Sequence, residues 1–218
     1  MIAALVRNGG VALPLVEALE AGAISAAELD LSAREVLRRV PDEKLRPRIA
    51  GLLKSPAGGD RESVVAGYRS ALEIPGDAKA GAILFSQHCL ICHQVQGTGS
   101  RVGPELSGIA SRPKAALLED ILNPGKEIAP DFQNFVAVTK QGRVSSGLLV
   151  ADTPTFVRLR GPQGAEETIL RGDIEELRAN GQSLMPEGFE QALSREDLAH
   201  VLEFLHKPVP LPDSARGP

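Results

Sequence analysis

Large aromatic side chains are scarce in this sequence. Its 218 residues include no tryptophan, one tyrosine and six phenylalanines, so aromatic residues make up only 3%. Hydrophobic residues nevertheless reach 43%, which is enough for a packed core in one large domain or two small ones.

Long apolar runs and a basic excess are also lacking. No run approaches the roughly 18 apolar residues of a membrane-spanning helix, so we expect no transmembrane segment. The net charge of −4 does not favour nucleic-acid binding, which requires a basic surface. Residues 1–10 have no basic start and too short an apolar stretch for an export signal.

Only two cysteines are present, and both lie in Cys89-Leu90-Ile91-Cys92-His93. Thiols three positions apart on a helical turn face the same way, so each can bond to one vinyl group of a single porphyrin. His93 follows immediately and can place an imidazole nitrogen on the iron. This spacing is the attachment signature of a c-type haem, and a buried haem would supply the flat apolar group that the composition lacks.

A zinc site, a thioredoxin-like redox pair and a structural disulfide are the other interpretations of the two cysteines. Zinc needs about four nitrogen or sulfur ligands, and no further cysteine is available. A thioredoxin-like pair lies between a strand and a helix, whereas the residues before Cys89 have a helical pattern. A disulfide would leave His93 without a role.

Helical patterns occur at both ends of the chain. Apolar residues at helical spacing predict helices at 11–20, 33–40 and 43–53. Short helices joined by tight turns are typical of an antiparallel helical pair or a fragment of an α-solenoid repeat. Asp77 can cap a helix that runs into the cysteine motif, and residues 194–197 have the form of a capping box for a last helix.

Strand patterns lie between these helices. Residues 135–139, 144–150, 155–160 and 167–171 have strand character and are separated by tight turns. They predict a small antiparallel β-meander, inserted at about 132–172. After it, Asp173 is predicted to cap a short helix that runs to Arg178 and ends at Asn180-Gly181.

The second part of the chain resembles the small monohaem cytochromes c. The resemblance rests on Gly81 and Phe85 before the cysteine motif, on residues 102–108 (Val-Gly-Pro-Glu-Leu-Ser-Gly), on Met185-Pro186 and on Phe204-Leu205. It implies that the Pro104 carbonyl accepts a hydrogen bond from the second ring nitrogen of His93, which orients the imidazole. It also implies that Leu106 packs on the haem. A simple turn at Gly103-Pro104 is the alternative.

Met185 is the predicted sixth ligand of the iron, opposite His93. Apart from Met1 it is the only methionine, and Pro186 follows it as in the methionine loop of the family. A gap-filling core methionine is the alternative; the other possible ligands are His88, His200 and His206, of which His200 is expected to be solvated. Arg112 is predicted to contact a haem propionate because of its charge and its position.

A narrower resemblance is to the haem-binding C-terminal domains of large secreted proteins from planctomycetes and verrucomicrobia. The shared segments include residues 117–124, 139–143 and 183–186. The expected fold is mainly α: a helical, repeat-like segment (1–74), then a cytochrome c domain (75–218) that carries the β insert.

The resemblance also sets the expected function, which is electron transfer through one covalent haem c, with no catalytic residue. The implied donor is a dehydrogenase domain, and the implied acceptor is another cytochrome or an oxidase. Because bacteria attach c-type haem after export, we expect an extracytoplasmic, for example periplasmic, location and a chain that is part of a longer secreted protein. A haem-based gas sensor, or a structural haem domain whose β insert binds proteins, are the alternative functions.

Overall fold

The computed structural model describes residues 12–24, 29, 31–53, 60–161 and 164–215. Residues 1–10, which are predicted not to be an export signal, lie outside these ranges. The first three helices share an apolar cluster of their own, which includes Val16, Leu37 and Ile49. These helices are α1 (Ala12–Glu20), α2 (Leu31–Arg38) and α3 (Leu45–Leu53).

Five further helices follow in the described part of the chain, and they build a second, larger core. They are α4 (Arg61–Tyr68), α5 (Ala78–His88), α6 (Lys114–Leu122), α7 (Phe189–Ala192) and α8 (Arg195–His206). Val65 of α4 and Ala71 of the next turn pack into this core, although both precede the predicted domain boundary at residue 75. That boundary stays a prediction. No helix in the described ranges is long and apolar enough to cross a bilayer.

The crossing of α5 and α8 brings the two ends of this core together. A Cβ atom on Gly81 would overlap the backbone carbonyl of His200 and lie 2.8 Å from the Cβ of Phe204, so only glycine permits this approach. The rings of Phe85 and Phe204 meet below it, with centroids 5.2 Å apart. His200, which was expected to be solvated, is partly buried: 18% of its side chain is exposed, and its Nδ1 accepts a hydrogen bond from the backbone N–H of Asp77 at 2.9 Å.

Seven strands are present in the described ranges. A short hairpin joins β1 (Gln94–Val95) to β2 (Thr98–Gly99). The other five form one antiparallel sheet in the order β6-β5-β4-β3-β7. Their bounds are β3 (Gln133–Thr139), β4 (Val144–Asp152), β5 (Phe156–Arg160), β6 (Glu166–Leu170) and β7 (Ile174–Ser183).

The predicted helix from Asp173 to Arg178 is wrong, because these residues lead into and form β7. The spacing of Ile174 and Leu177 also fits a helical turn, so the local pattern is ambiguous. These residues form a strand because the edge of β3 offers backbone hydrogen-bond partners: β7 pairs with β3 from Gln133 to Thr139. The sheet therefore extends to residue 183, beyond the predicted end of the insert at 172.

Polar contacts join α2 to one face of this sheet. The buried carboxylate of Glu35 accepts hydrogen bonds from Arg178 of β7 at 2.6 Å and from Arg39 at 3.1 Å. The hydroxyls of Ser32 and Ser146 lie 2.9 Å apart. The first three helices are thus docked on the sheet by charged and polar groups.

Candidate functional site

The two cysteines and His93 lie at the end of α5. Asp77 begins this helix by accepting hydrogen bonds from the N–H groups of Lys79 and Ala80. The N–H of Cys89 donates to the carbonyl of Phe85 at 2.8 Å, and the N–H of His93 donates to the carbonyl of Cys89, also at 2.8 Å. The CxxCH residues therefore form one compact turn that continues the helix.

The segment after the turn folds back over His93. The N–H groups of Val102 and Gly103 both donate to the carbonyl of Cys92, at 3.0 and 2.7 Å. The backbone N–H of Leu106 donates to the carbonyl of Gln94 at 2.8 Å. These bonds hold residues 102–106 against the cysteine turn.

The imidazole of His93 has a fixed orientation. Its Nδ1 lies 2.9 Å from the carbonyl oxygen of Pro104. Since a carbonyl can only accept, Nδ1 must carry the proton, and Nε2 keeps its lone pair for a metal. This is the hydrogen bond that the cytochrome resemblance implies.

Gly103 lies flat against this ring. A Cβ atom at that position would be 2.5 Å from Cε1 and 2.7 Å from Nδ1 of His93. Sequence reasoning selected Pro104 in this segment and missed the steric role of Gly103. The signal was the Gly-Pro pair itself, in which the glycine admits the ring and the proline supplies the acceptor.

Burial controls the protonation of the three CxxCH side chains. Burial raises the pKa of the Cys89 thiol to about 12 and also raises the pKa of Cys92, so both are protonated thiols at neutral pH. Burial lowers the pKa of His93, against an opposing effect of the hydrogen bond to Pro104. A neutral imidazole and two thiols are the species that iron ligation and addition to vinyl groups require.

The alternative interpretations of the cysteine pair find no support in this geometry. The described residues contain no cluster of three or more His, Cys, Asp or Glu side chains that could bind a metal ion, as a zinc site would need. A helix, not a strand, precedes Cys89. Both cysteines are free rather than joined in a disulfide.

The other predicted site residues lie on three different elements. Met185 is half-buried in the loop after β7, where its backbone N–H donates to the hydroxyl of Ser183 at 3.1 Å. Leu106 packs at the edge of the larger helical core. Arg112 forms a two-point ion pair with Asp120, at 2.6 and 2.8 Å, so its guanidinium is engaged within the protein.

Comparison with known proteins identifies a domain within this chain. The family model "Cytochrome c" matches residues 78–147, which includes α5, the CxxCH turn and the segment that covers His93. This chain contains a cytochrome c domain.

Two curated cytochromes c match part of this chain. The protein from Arabidopsis thaliana is 45% identical over 42 residues, which are 19% of this chain and 38% of that protein. The protein from Cochliobolus lunatus is 50% identical over 38 residues, or 17% of this chain and 35% of that protein. This chain thus spans little more than a third of the curated relatives that it matches.

The cofactor of a cytochrome c domain is haem c, an iron porphyrin held by covalent bonds. The donor set of this chain fits such a group: two free thiols on one turn, and an imidazole whose Nε2 is unprotonated. Because Gly103 lies so close to the ring, the imidazole cannot move toward residues 102–106.

Proposed function

We propose that this domain transfers electrons through one haem c, bonded to Cys89 and Cys92 and ligated by His93 and Met185. The observation that carries the proposal is the hydrogen bond from His93 Nδ1 to the Pro104 carbonyl, which leaves the lone pair of Nε2 available for the iron. When bound, the haem iron would supply a one-electron couple between the ferrous and ferric states.

The residues of this chain would keep the ligands of the iron in the same positions in the ferrous and ferric states. The Pro104 carbonyl fixes the imidazole, so a change in iron charge need not turn the ring. Bonds through both thiols would prevent loss of the haem. A thioether from Met185 favours ferrous iron and so raises the reduction potential relative to a second imidazole.

We also propose a setting for this domain, on the basis of the family resemblance alone. It would accept electrons from a dehydrogenase domain of a larger secreted protein and pass them to another cytochrome or an oxidase outside the cytoplasm. The domain is then a carrier, and any catalytic residues lie elsewhere.

Met185→Ala tests the ligand set in the haem-loaded protein. We expect the ferric wild type to show the weak far-red absorption band that is typical of sulfur ligation. The reduced wild type should not bind carbon monoxide. The variant should lose that band and bind carbon monoxide, because the sixth position is open. Its midpoint potential should be lower, because the thioether that favours ferrous iron is gone.

Leu184→Ala, a change in the same loop, is the control and should leave the spectrum unchanged. Rapid carbon monoxide binding by the wild type would contradict methionine ligation and favour a gas-binding module.

A further inference from the structure

The loop that carries Met185, residues 184–188, is attached to the rest of the protein on both sides. Before it, β7 ends at Ser183, which is paired with Gln133 of β3. After it comes α7, which has only four residues, none of them fully buried. A helix of one turn is not stable by itself, so the position of α7 depends on its contacts with other elements.

Helix α4 provides these contacts, and it does so through Glu190 of α7. Arg61, the first residue of α4, forms a two-point ion pair with Glu190: Nη1 donates to Oε1 at 2.8 Å, and Nη2 donates to Oε2 at 3.0 Å. Tyr68, the last residue of α4, donates its hydroxyl hydrogen to the backbone carbonyl of Glu190 at 2.8 Å. Both the side chain and the backbone of Glu190 are therefore bonded to α4.

The ion pair between Arg61 and Glu190 lies largely out of solvent. Only 9% of the Arg61 side chain and 15% of the Glu190 side chain are exposed. The hydrogen bond from Arg61 lowers the pKa of Glu190, so both partners are charged at neutral pH. Arg61 Nε also donates to the carbonyl of Leu122 at 2.8 Å, at the fully buried end of α6. Since a charge that loses its partner in such a place is costly, this pair fixes α7 firmly.

Helix α4 is itself held by the larger core. Val65 is buried there, and Nε of Arg195, the first residue of α8, donates to the Gly67 carbonyl at 3.0 Å. The Arg195 guanidinium also lies 4.8 Å from the ring centroid of Tyr68, which is within the range of a cation–π contact. This helix is thus a fixed support for α7, although it precedes residues 78–147, which match the cytochrome c model.

We propose that Arg61 and Tyr68 are positioning residues for Met185. They bind Glu190, which is five positions further along the chain, and so keep the loop 184–188 in place for the iron. A ligand that is held in place beforehand loses less conformational freedom when it binds, and therefore binds more tightly. The inference rests on the proposed function, since it needs Met185 as the sixth ligand. It gives α4 a part in iron ligation that neither the CxxCH motif nor the family match provides.

Titration of the haem-loaded ferric protein with imidazole tests this role, because imidazole can bind the iron only when Met185 has left it. The apparent affinity for imidazole rises in proportion to the fraction of molecules with an open sixth position. Arg61→Ala should raise this affinity by about tenfold, since it removes charge-assisted hydrogen bonds to Glu190. Tyr68→Phe should raise it by about threefold, since one neutral hydrogen bond is lost. Loss of the far-red ferric band measures the binding.

Lys114→Ala is the matched control, because it breaks another ion pair of the same core, between Lys114 of α6 and Glu203 of α8. It should lower the melting temperature and leave the imidazole affinity unchanged. An equal rise in affinity in the control would overturn the inference, since it would reflect general loosening of the core. An unchanged affinity in Arg61→Ala would also overturn it.

If Arg61→Ala does not fold, Tyr68→Phe decides, because it removes only a hydroxyl group; an unchanged imidazole affinity in that variant would count against the inference. Failure of the proposed function has a different sign. A wild type without the far-red band would contradict methionine ligation itself, before any variant is compared.

Discussion

Gly103 shows how a residue without a side chain can determine the geometry of a ligand. The ring of His93 occupies the space where a Cβ atom would be, and the Pro104 carbonyl prevents the ring from turning away. A larger residue must therefore displace either the imidazole or the segment 102–106.

Gly103→Ala should destabilise the haem-loaded protein by about 1–3 kcal/mol, as expected for overpacking of a tight site. It should also change the midpoint potential, because the imidazole can no longer keep its orientation. Thermal unfolding and redox titration measure the two effects. Gly108→Ala is the matched control, since a Cβ there would meet nothing within 4 Å; equal effects of the two changes would refute the steric argument.

The sequence predicted the donors of the site better than its steric and buried polar features. Cys89, Cys92 and His93 lie in one short motif, so local spacing brings them together, whereas the role of Pro104 was implied by the family resemblance. The burial of Asn134 could not be predicted in this way, because it depends on the pairing of β3 with β7, which is distant in the sequence. Its one local sign is a polar residue in the inward phase of β3, where Val136 and Val138 are also buried.

At the scale of elements, the crossing of α5 and α8 joins the two ends of the larger helical core. The caps of these helices are confirmed: Asp77 accepts from two backbone N–H groups, and Ser194 and Asp197 form a reciprocal capping box. These ends were predictable because capping is local chemistry. The strand β7 was not predictable in this way, because it pairs with β3, which is distant in the sequence.

Gly81→Ala tests the crossing. The added methyl group would overlap the His200 carbonyl, so the helices must separate, and we expect a loss of about 3 kcal/mol in the free energy of unfolding. Gly67→Ala in α4 is the matched change, since nothing lies within 4 Å of its Cβ position; helix propensity there predicts a gain of about 0.5–1 kcal/mol. Denaturant titration compares them, and a similar loss in both variants would exclude a role for the close approach.

At the scale of the whole molecule, charge joins the first three helices to the sheet. Only 5% of the Glu35 side chain is exposed, and it pairs with Arg178 and Arg39. Arg178 and Arg39 also share Glu176, which lies on β7. A network of this kind orients the two parts without a large apolar interface.

Glu35→Ala should loosen this attachment and leave the haem unaffected. Removing the carboxylate leaves two guanidinium groups without their buried partner, at a cost of about 1.5–3 kcal/mol, so amide exchange in α1–α3 should accelerate by about tenfold or more. Hydrogen–deuterium exchange measured by mass spectrometry gives the rates, and the absorption spectrum should not change. Glu43→Ala, at an exposed position, serves as the control; unchanged exchange in the Glu35 variant would show that the network does not hold the helices.

The contact between Asp77 and His200 joins residues 123 positions apart, with the entire sheet in the intervening loop. The entropy of closing a loop grows slowly, by only about 0.6 kcal/mol for each doubling of its length, so inserting a sheet there costs little at equilibrium. The cost is kinetic, because distant contacts slow folding. We expect α8 to dock late, which leaves the cysteine turn at the end of α5 accessible for haem attachment while the rest of the chain folds.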